Sequence, residues 1–381
     1  MPKAISISKA EGRPGQVFHP LSLDEVPLPS ATGTQVVVKI YAAALNHRDL
    51  FIRQSLYPGT AFGVPLLADG CGLVIEVGPQ ADKSWEGKRV VINPGTGWSD
   101  SVEGPEEEGG YKILGGTKLY PNGTLQEYIL IEQSELEEAP HHLTAVEAAA
   151  LPLTGLTAWR AVYIKCGPHN LKPGKNILVT GIGGGVALMA LELARAAGAN
   201  VWVTSSSEEK IQRAVQLGAA GGVNYKEENW DKKLLGILPK ENKQIDAIVD
   251  GAGSDVVDKG TRILKASQPA GLIDHVLCVL ICRQAGGIIS VYGMTVNPVM
   301  PFSMRAVLKN IEVKGSTMGS RKEFKDMIDF INTNKARPVV SRVVQGLDLD
   351  AVNSLFGDMK QASQFGKLVV EISPETRESR L

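Results

Sequence analysis

NILVTGIGGGVALMALELARAAGANVWVTSSS, Asn176 to Ser207, decides the fold. An apolar run, Ile177 to Val179, stops at Gly181, Gly183, Gly184 and Gly185. Apolar residues then return at Val186, Met189, Ala190, Leu193, Ala194 and Ala197, the spacing of one buried helix face. A second apolar run, VWVT, follows. Strand, glycine turn, helix and strand in this order predict the start of a doubly wound parallel sheet. Its glycines let the backbone turn tightly and bring amide N–H groups against a pyrophosphate at the positive end of a helix. The third position of the glycine spacing is Ala187, whose methyl group still permits close packing of helix on strand.

Working outward, the chain after about Glu147 keeps alternating strand-like and helix-like segments, through EEKIQRAVQLGA and QIDAIVDGAG. The first third differs. TQVVVKIYAAA, GLVIEVG, KRVVINP and TLQEYILI are short, alternating and separated by turn residues, which predicts a mainly antiparallel β domain. A chain of 381 residues is long for one core, so two domains are expected. The fold class is therefore α/β, a Rossmann cofactor domain beside a mainly antiparallel β domain.

Composition limits the partners. Net charge is −1, with both signs mixed along the chain, so no stripe exists to attract nucleic acid or an anionic membrane. Four cysteines, Cys71, Cys166, Cys278 and Cys282, form no C-x-x-C pair, which favours a reducing compartment over a disulfide framework. The opening MPKAISISKAEGRPG has no apolar core of signal-peptide length, and the longest apolar run is too short to span a membrane. A small-molecule substrate and a cytoplasmic location are expected.

The choice of dinucleotide falls at the end of the VWVT strand. A carboxylate there would hold a ribose 2′-hydroxyl, as in NAD sites. Here Ser205, Ser206 and Ser207 follow, with Lys210 one helical turn on, a set suited to the 2′-phosphate of NADP(H). The same serines can cap the next helix, and the two roles are compatible.

Taken together, AALNHRDL, PLLADGCGLVIEVG, EGKRVVI, GTLQEYILI, AAALPLTGLTAW, the glycine loop, LGAAGGVNY and GGIISVYG run through nearly the whole chain. In this order they resemble the medium-chain dehydrogenase/reductases, and within them the zinc-independent quinone oxidoreductase-like and enoyl reductase-like branch. The resemblance implies a GroES-like substrate domain, 1–150 completed by 319–381, and a NADP-binding Rossmann domain, 151–318. It implies cofactor contacts at Thr157, the glycine loop with Val186, Tyr225 and Gly293, and a homodimer or homotetramer. Thr154 also falls in the interdomain segment, where a threonine near a helix start is more often a cap.

His47 and Asp49, two apart, tempt a metal-ligand reading, because imidazole and carboxylate both bind zinc. Zinc alcohol dehydrogenases of the superfamily use a cysteine, a His-Glu pair and a further cysteine. Those positions read Asn46, Ala68 with Asp69, and Leu153 in this sequence, and the structural-zinc lobe, about Asn93 to Pro121, has no cysteine. The resemblance then implies hydride transfer from NADPH to a quinone or an α,β-unsaturated carbonyl without a catalytic metal, with Asn46 and Tyr57 as catalytic candidates. Asn46 offers donor and acceptor, and the Tyr57 phenol can give a proton as charge develops. A zinc alcohol dehydrogenase with substituted ligands and a non-catalytic NADPH-binding protein are the alternatives.

Three features stand outside the family pattern. The acidic run Glu106 to Glu108 in the lobe reads as a solvated loop. SQPAGLIDHVLCVLICRQA, 267–285, interrupts what would otherwise be a short helix-to-strand link, and reads as a retained intron or gene-model error that sequencing the transcript would test. If native, it would dock on a partner subunit. Ser379-Arg380-Leu381 resembles the peroxisomal S-K-L address, an alternative to the cytoplasm.

Overall fold

The computed structural model of the chain describes residues 1–266, 286–297 and 299–375. The expectations for segment 267–285 and for the C-terminal tripeptide lie outside the described residues. The chain divides into two compact units, Met1–Leu156 with Gly319–Leu381, and Thr157–Met318. The boundary falls at 156/157 rather than 150/151, within the helix Pro152–Trp159. Among the described residues no helix is long and apolar enough to cross a membrane.

The first unit is built on a seven-stranded sheet whose centre is the strand Gln35–Ala44, paired antiparallel with Lys367–Glu371, Asp69–Val77 and Tyr128–Glu132. Val36, Val38 and Ile40, two residues apart, enter one core together with Val352, Leu355, Phe356 and Met359 from the helix Leu349–Gln361. Period two on the strand and periods three and four on the helix explain why these residues share an interior. Truncating Phe356, fully buried here, to alanine is the kind of change that costs about 3–5 kcal/mol.

Register is what assembles the site. Ala44 pairs with Val369 on one side and with Asp69 on the other. In an antiparallel pair, two residues forward on one strand lie opposite two residues back on its partner. Asn46, just beyond the central strand, is therefore brought level with Lys367, at the start of its neighbour, and both lie at the end of the sheet where Asp69 begins the third strand.

The second unit holds a six-stranded sheet in which every pairing is parallel, in the order Gly221–Asn224, Asn200–Ser205, Asn176–Val179, Ala247–Asp250, Ile288–Val291 and Glu312–Gly315. Chain order reverses beside Asn176–Val179, and in such sheets ligands bind at the carboxyl ends of the strands flanking that switch. Leu178, Ile248 and Ile289 from the strands pack with Trp230, Leu234 and Val257 from the helices.

Candidate functional site

In the second unit the strand Asn176–Val179 runs into the glycine loop, and the 12-residue helix Gly185–Ala196 starts directly after it with Gly184 as its N-cap. Gly181 has φ +63° and Gly183 φ +129°, left-handed conformations that side chains with a Cβ resist. A Cβ built on Gly181 or Gly184 would meet nothing within 4 Å, so the loop borders open space. The loop is tied down by Gly181 N–H donating to Thr204 Oγ1 at 3.1 Å and Ile182 N–H to the Thr204 carbonyl at 2.8 Å. The first N–H groups of the helix, including that of Val186, have no intrahelical acceptor. Backbone donors, a positive helix end and room beside them fit a dinucleotide pyrophosphate.

Ser205, Ser206 and Tyr225 stand at the ends of the neighbouring strands Asn200–Ser205 and Gly221–Asn224, and Lys210 lies in the first turn of the helix that follows. Tyr225 N–H donates to the Ser205 carbonyl at 3.0 Å. Ser205 is buried and its hydroxyl accepts from Ser207 N–H at 3.2 Å, while Ser206 and Tyr225 are exposed. Ser207 caps the helix Glu208–Gln216, accepting from Lys210 N–H, so capping falls to one serine and leaves Ser206 outside it. Burial lowers the Lys210 pKa, and so does the neighbouring Arg213 guanidinium, a second cation that sequence reading missed. Thr157 is buried, its hydroxyl 3.8 Å from the Met318 sulfur. Gly293 follows Ile288–Val291, and a Cβ there would lie 3.4 Å from the Gly251 carbonyl oxygen. Asp250, at the end of Ala247–Asp250, was also missed. Its carboxylate accepts from Thr180 Oγ1 at 2.5 Å and Gly253 N–H at 2.8 Å, closing the strand ends beside the loop.

The first unit carries a polar centre that sequence reading saw only in part. Lys367 Nζ donates to Asn46 Oδ1 at 2.6 Å and to Asp69 Oδ2 at 2.8 Å. Asn46 Nδ2 donates to the same Asp69 oxygen at 2.9 Å, and Leu153 N–H donates to Asp69 Oδ1 at 2.8 Å. All three side chains are buried, Lys367 at 4% exposure and Asp69 at 0%. The Asn46 amide, expected to face a substrate, spends its oxygen on Lys367 and an amide hydrogen on Asp69. Asp49 accepts from Asn46 N–H at 2.8 Å, half of a capping box that starts the helix His47–Arg53. Arg48 donates to the carbonyls of Leu114 and Gly115 at 2.8 and 3.0 Å and lies 3.3 Å from Asp49. Two buried cations thus face two buried carboxylates.

His47 is exposed, edge-on to Phe51, whereas Asp49 is fully buried, so the pair does not converge as metal ligands. The positions that hold zinc in alcohol dehydrogenases present one amide, one carboxylate and the backbone of Leu153, with an ammonium bonded to both polar side chains. Such a set does not fit a zinc ion, which takes imidazole, thiolate and carboxylate and would be repelled by Lys367. Among the described residues no group of three or more His, Cys, Asp or Glu could hold a metal ion. Tyr57 is half-buried, its ring 4.7 Å from the Arg48 guanidinium. Thr154 hydroxyl donates to the Ala150 carbonyl at 3.0 Å, tying the start of the helix Pro152–Trp159 to the end of the preceding one, Ala145–Ala149.

The acidic lobe is ordered by one of its own carboxylates. Glu106 accepts from the N–H groups of Ser99, Asp100 and Ser101 at 2.7, 2.9 and 2.6 Å, and these bonds hold its pKa down at about 2. Glu107 pairs with Lys112 at 2.8 Å. The expected solvated run therefore includes a clamp for the lobe.

An alternating first domain, a parallel sheet with a glycine loop at its switch point and a polar centre at the sheet end together define a nicotinamide-type oxidoreductase. The chain belongs to the medium-chain dehydrogenase/reductase superfamily: residues 32–141 match the alcohol dehydrogenase GroES-like domain and residues 185–268 the zinc-binding dehydrogenase family. It is 46% identical over 379 residues, 98% of this chain and all of the relative, to a zinc-type alcohol dehydrogenase-like protein of Leptosphaeria maculans. It is 31% identical over 250 residues, 60% of this chain and 54% of the relative, to a crotonyl-CoA carboxylase/reductase of Cereibacter sphaeroides. Among solved structures, a NAD-dependent alcohol dehydrogenase superposes with TM-score 0.79 at 30% identity, over 97% of this chain and all of that one.

Proposed function

We propose that the protein is a NADPH-dependent reductase that passes hydride to an α,β-unsaturated carbonyl or a quinone without a catalytic metal. The observation that carries this reading is the Asn46–Asp69–Lys367 centre, in which an ammonium is bonded to the two polar side chains at zinc-ligand positions. When bound, the reduced nicotinamide supplies a hydride from its C4. The N–H groups of residues 183–186 hold the pyrophosphate, and Ser206 with Lys210 and Arg213 receives the 2′-phosphate, since no carboxylate stands at Ser205 to Ser207 to repel it. A charged centre that is internally neutral keeps a steady field while negative charge grows on the acceptor oxygen, which is preorganisation rather than Lewis-acid help. Likeness to a crotonyl-CoA carboxylase/reductase supports enoyl reduction.

The test is oxidation of NADPH and of NADH by the purified protein with cyclohexenone, benzoquinone, and a panel of aldehydes and alcohols. Turnover with the enone or quinone, favouring NADPH, is expected. Turnover confined to alcohols and aldehydes with NAD(H) would overturn the reading in favour of the alcohol dehydrogenase alternative.

A further inference from the structure

A cleft of 480 Å³ opens in the second unit among three helices, Trp230–Ile237, Val256–Ile263 and Met304–Leu308. Four cations line it: Lys232 from the first helix, Arg262 from the second, Arg305 from the third and Lys309 directly after it. Lys232, Arg262 and Arg305 are exposed and Lys309 is half-buried, so all four side chains can be reached from solvent. None belongs to the glycine loop or to the set around Ser205.

The carboxylates nearby are already matched. Asp231, the one acid lining the cleft, is 1% exposed and lies 3.3 Å from the Arg262 guanidinium and 3.9 Å from the Lys259 ammonium. Asp258 takes the other arm of Arg262 at 2.9 Å. Lys232, Arg305 and Lys309 form no ion pair and no side-chain hydrogen bond among the described residues. Arg305 and Lys309 stand four apart, within one helical turn, where like charges repel. Partial burial lowers the Lys309 pKa and the Arg305 guanidinium lowers it further, as expected of cations crowded together without a counter-ion. A helix C-terminus favours a cation at Lys309, but it does not account for Lys232 on another helix. The whole chain carries a net charge of −1, so the excess is local to this cleft.

A ligand that answers these cations carries several negative charges close together. One carboxylate would meet one cation and leave two. A phosphate chain carries charge on each phosphate, and its oxygens suit the planar fork of Arg305 as well as the point charges of the lysines. The volume falls within the ~300–1,000 Å³ of small-molecule sites, with room for more than one phosphate, and half-buried Leu235 adds an apolar patch to the wall.

We propose that this cleft binds a di- or triphosphate group, free or carried by a nucleotide, at a site separate from the dinucleotide cradle. Bound there, the phosphates tie the three helices together through Lys232, Arg262, Arg305 and Lys309 and so stabilise the second unit. The proposal stands apart from the reductase reading, because it uses no residue of either site described above.

The experiment is isothermal titration of the purified protein, saturated with NADPH to fill the dinucleotide cradle, with inorganic tripolyphosphate and separately with ATP, at low and at high salt. One bound ligand per chain is expected, with affinity that falls as salt rises. Arg305→Glu is expected to weaken it about 10- to 100-fold and Lys309→Gln several-fold, with NADPH affinity unchanged. Thermal unfolding of ligand-free Arg305→Glu should match the natural protein, since that side chain has no partner to lose. Lys118→Glu reverses an exposed charge in the first unit, changes the net charge equally and should leave binding as it was. Tripolyphosphate at least as tight as ATP would mean an inorganic ligand, and ATP about tenfold tighter or more a nucleotide; either supports the site. Binding of neither, binding that Arg305→Glu leaves alone or that Lys118→Glu weakens as much, or attachment to vesicles containing phosphatidylinositol 4,5-bisphosphate without binding of either soluble phosphate, would overturn it.

Discussion

Around residues 181–185 the chain makes room by leaving side chains out, whereas around Asp69 it fills room with side chains that bond one another. The first region is local: five residues in sequence, two of them with positive φ, set the whole cradle. The second is assembled from Asn46 and Lys367, 321 positions apart, by strand register. The loop keeps Gly181 and Gly184 exposed, with open space beside them. A closed set of charges already has its counter-ions, and its use lies in the field it holds. The two therefore differ in how they break.

The largest effect is expected at the closed centre. Lys367→Met leaves the Asp69 carboxylate buried and unpaired, and should lower the free energy of chemical unfolding by about 3–5 kcal/mol. Adding Asp69→Leu to it should restore much of that loss, because it removes the stranded charge. If Lys367→Met alone is neutral, the centre is not closed by this pair.

Next is the open region. Gly183→Val puts a β-branched residue at φ +129° and should weaken NADPH about 100-fold, as read by cofactor fluorescence, while unfolding of the first unit stays where it was. Loss of both would mean that the two regions are not independent.

The third prediction concerns pH. Burial raises the Asp49 pKa to about 6, with Arg48 and Asn46 N–H opposing it. The folded state then holds this proton more tightly than the unfolded chain, whose carboxyl titrates near ~4. Stability from this group is present in full below that value and is lost as pH rises through about 6. Asp49→Asn should flatten that decline, gaining on the order of 2 kcal/mol over the natural protein between pH 4 and pH 7. Parallel pH profiles for the two proteins would contradict it. The smallest effect is expected from Ser206→Asp, which should move the NADPH-to-NADH ratio of kcat/KM about tenfold toward NADH. An unmoved ratio would take Ser206 out of the 2′-phosphate site.

Which parts could be read in advance follows from the same difference. The glycine loop, its helix and the parallel order were legible because each depends on neighbours in sequence. Ser207 as a cap and Ser205 at the strand end were legible for the same reason. Asn46 and Tyr57 came from the family positions, but the engagement of Asn46 by Lys367 did not, because nothing near Lys367 in the sequence points 321 residues back. Asp250 could have been found, since the strand QIDAIVD ends in an acid beside the switch point. Glu106 as a clamp was not readable, because an acidic run looks alike whether its carboxylates meet water or backbone N–H groups.

The central proposal is that the buried Lys367 ammonium, bonded to Asn46 and Asp69, takes the place that a zinc alcohol dehydrogenase of the superfamily would give to its metal. The direct test is metal content of the purified protein together with NADPH-dependent turnover before and after exhaustive chelation. The account predicts no stoichiometric metal and an unchanged rate. One tightly held zinc per chain, with turnover lost on its removal and recovered on its return, would contradict it.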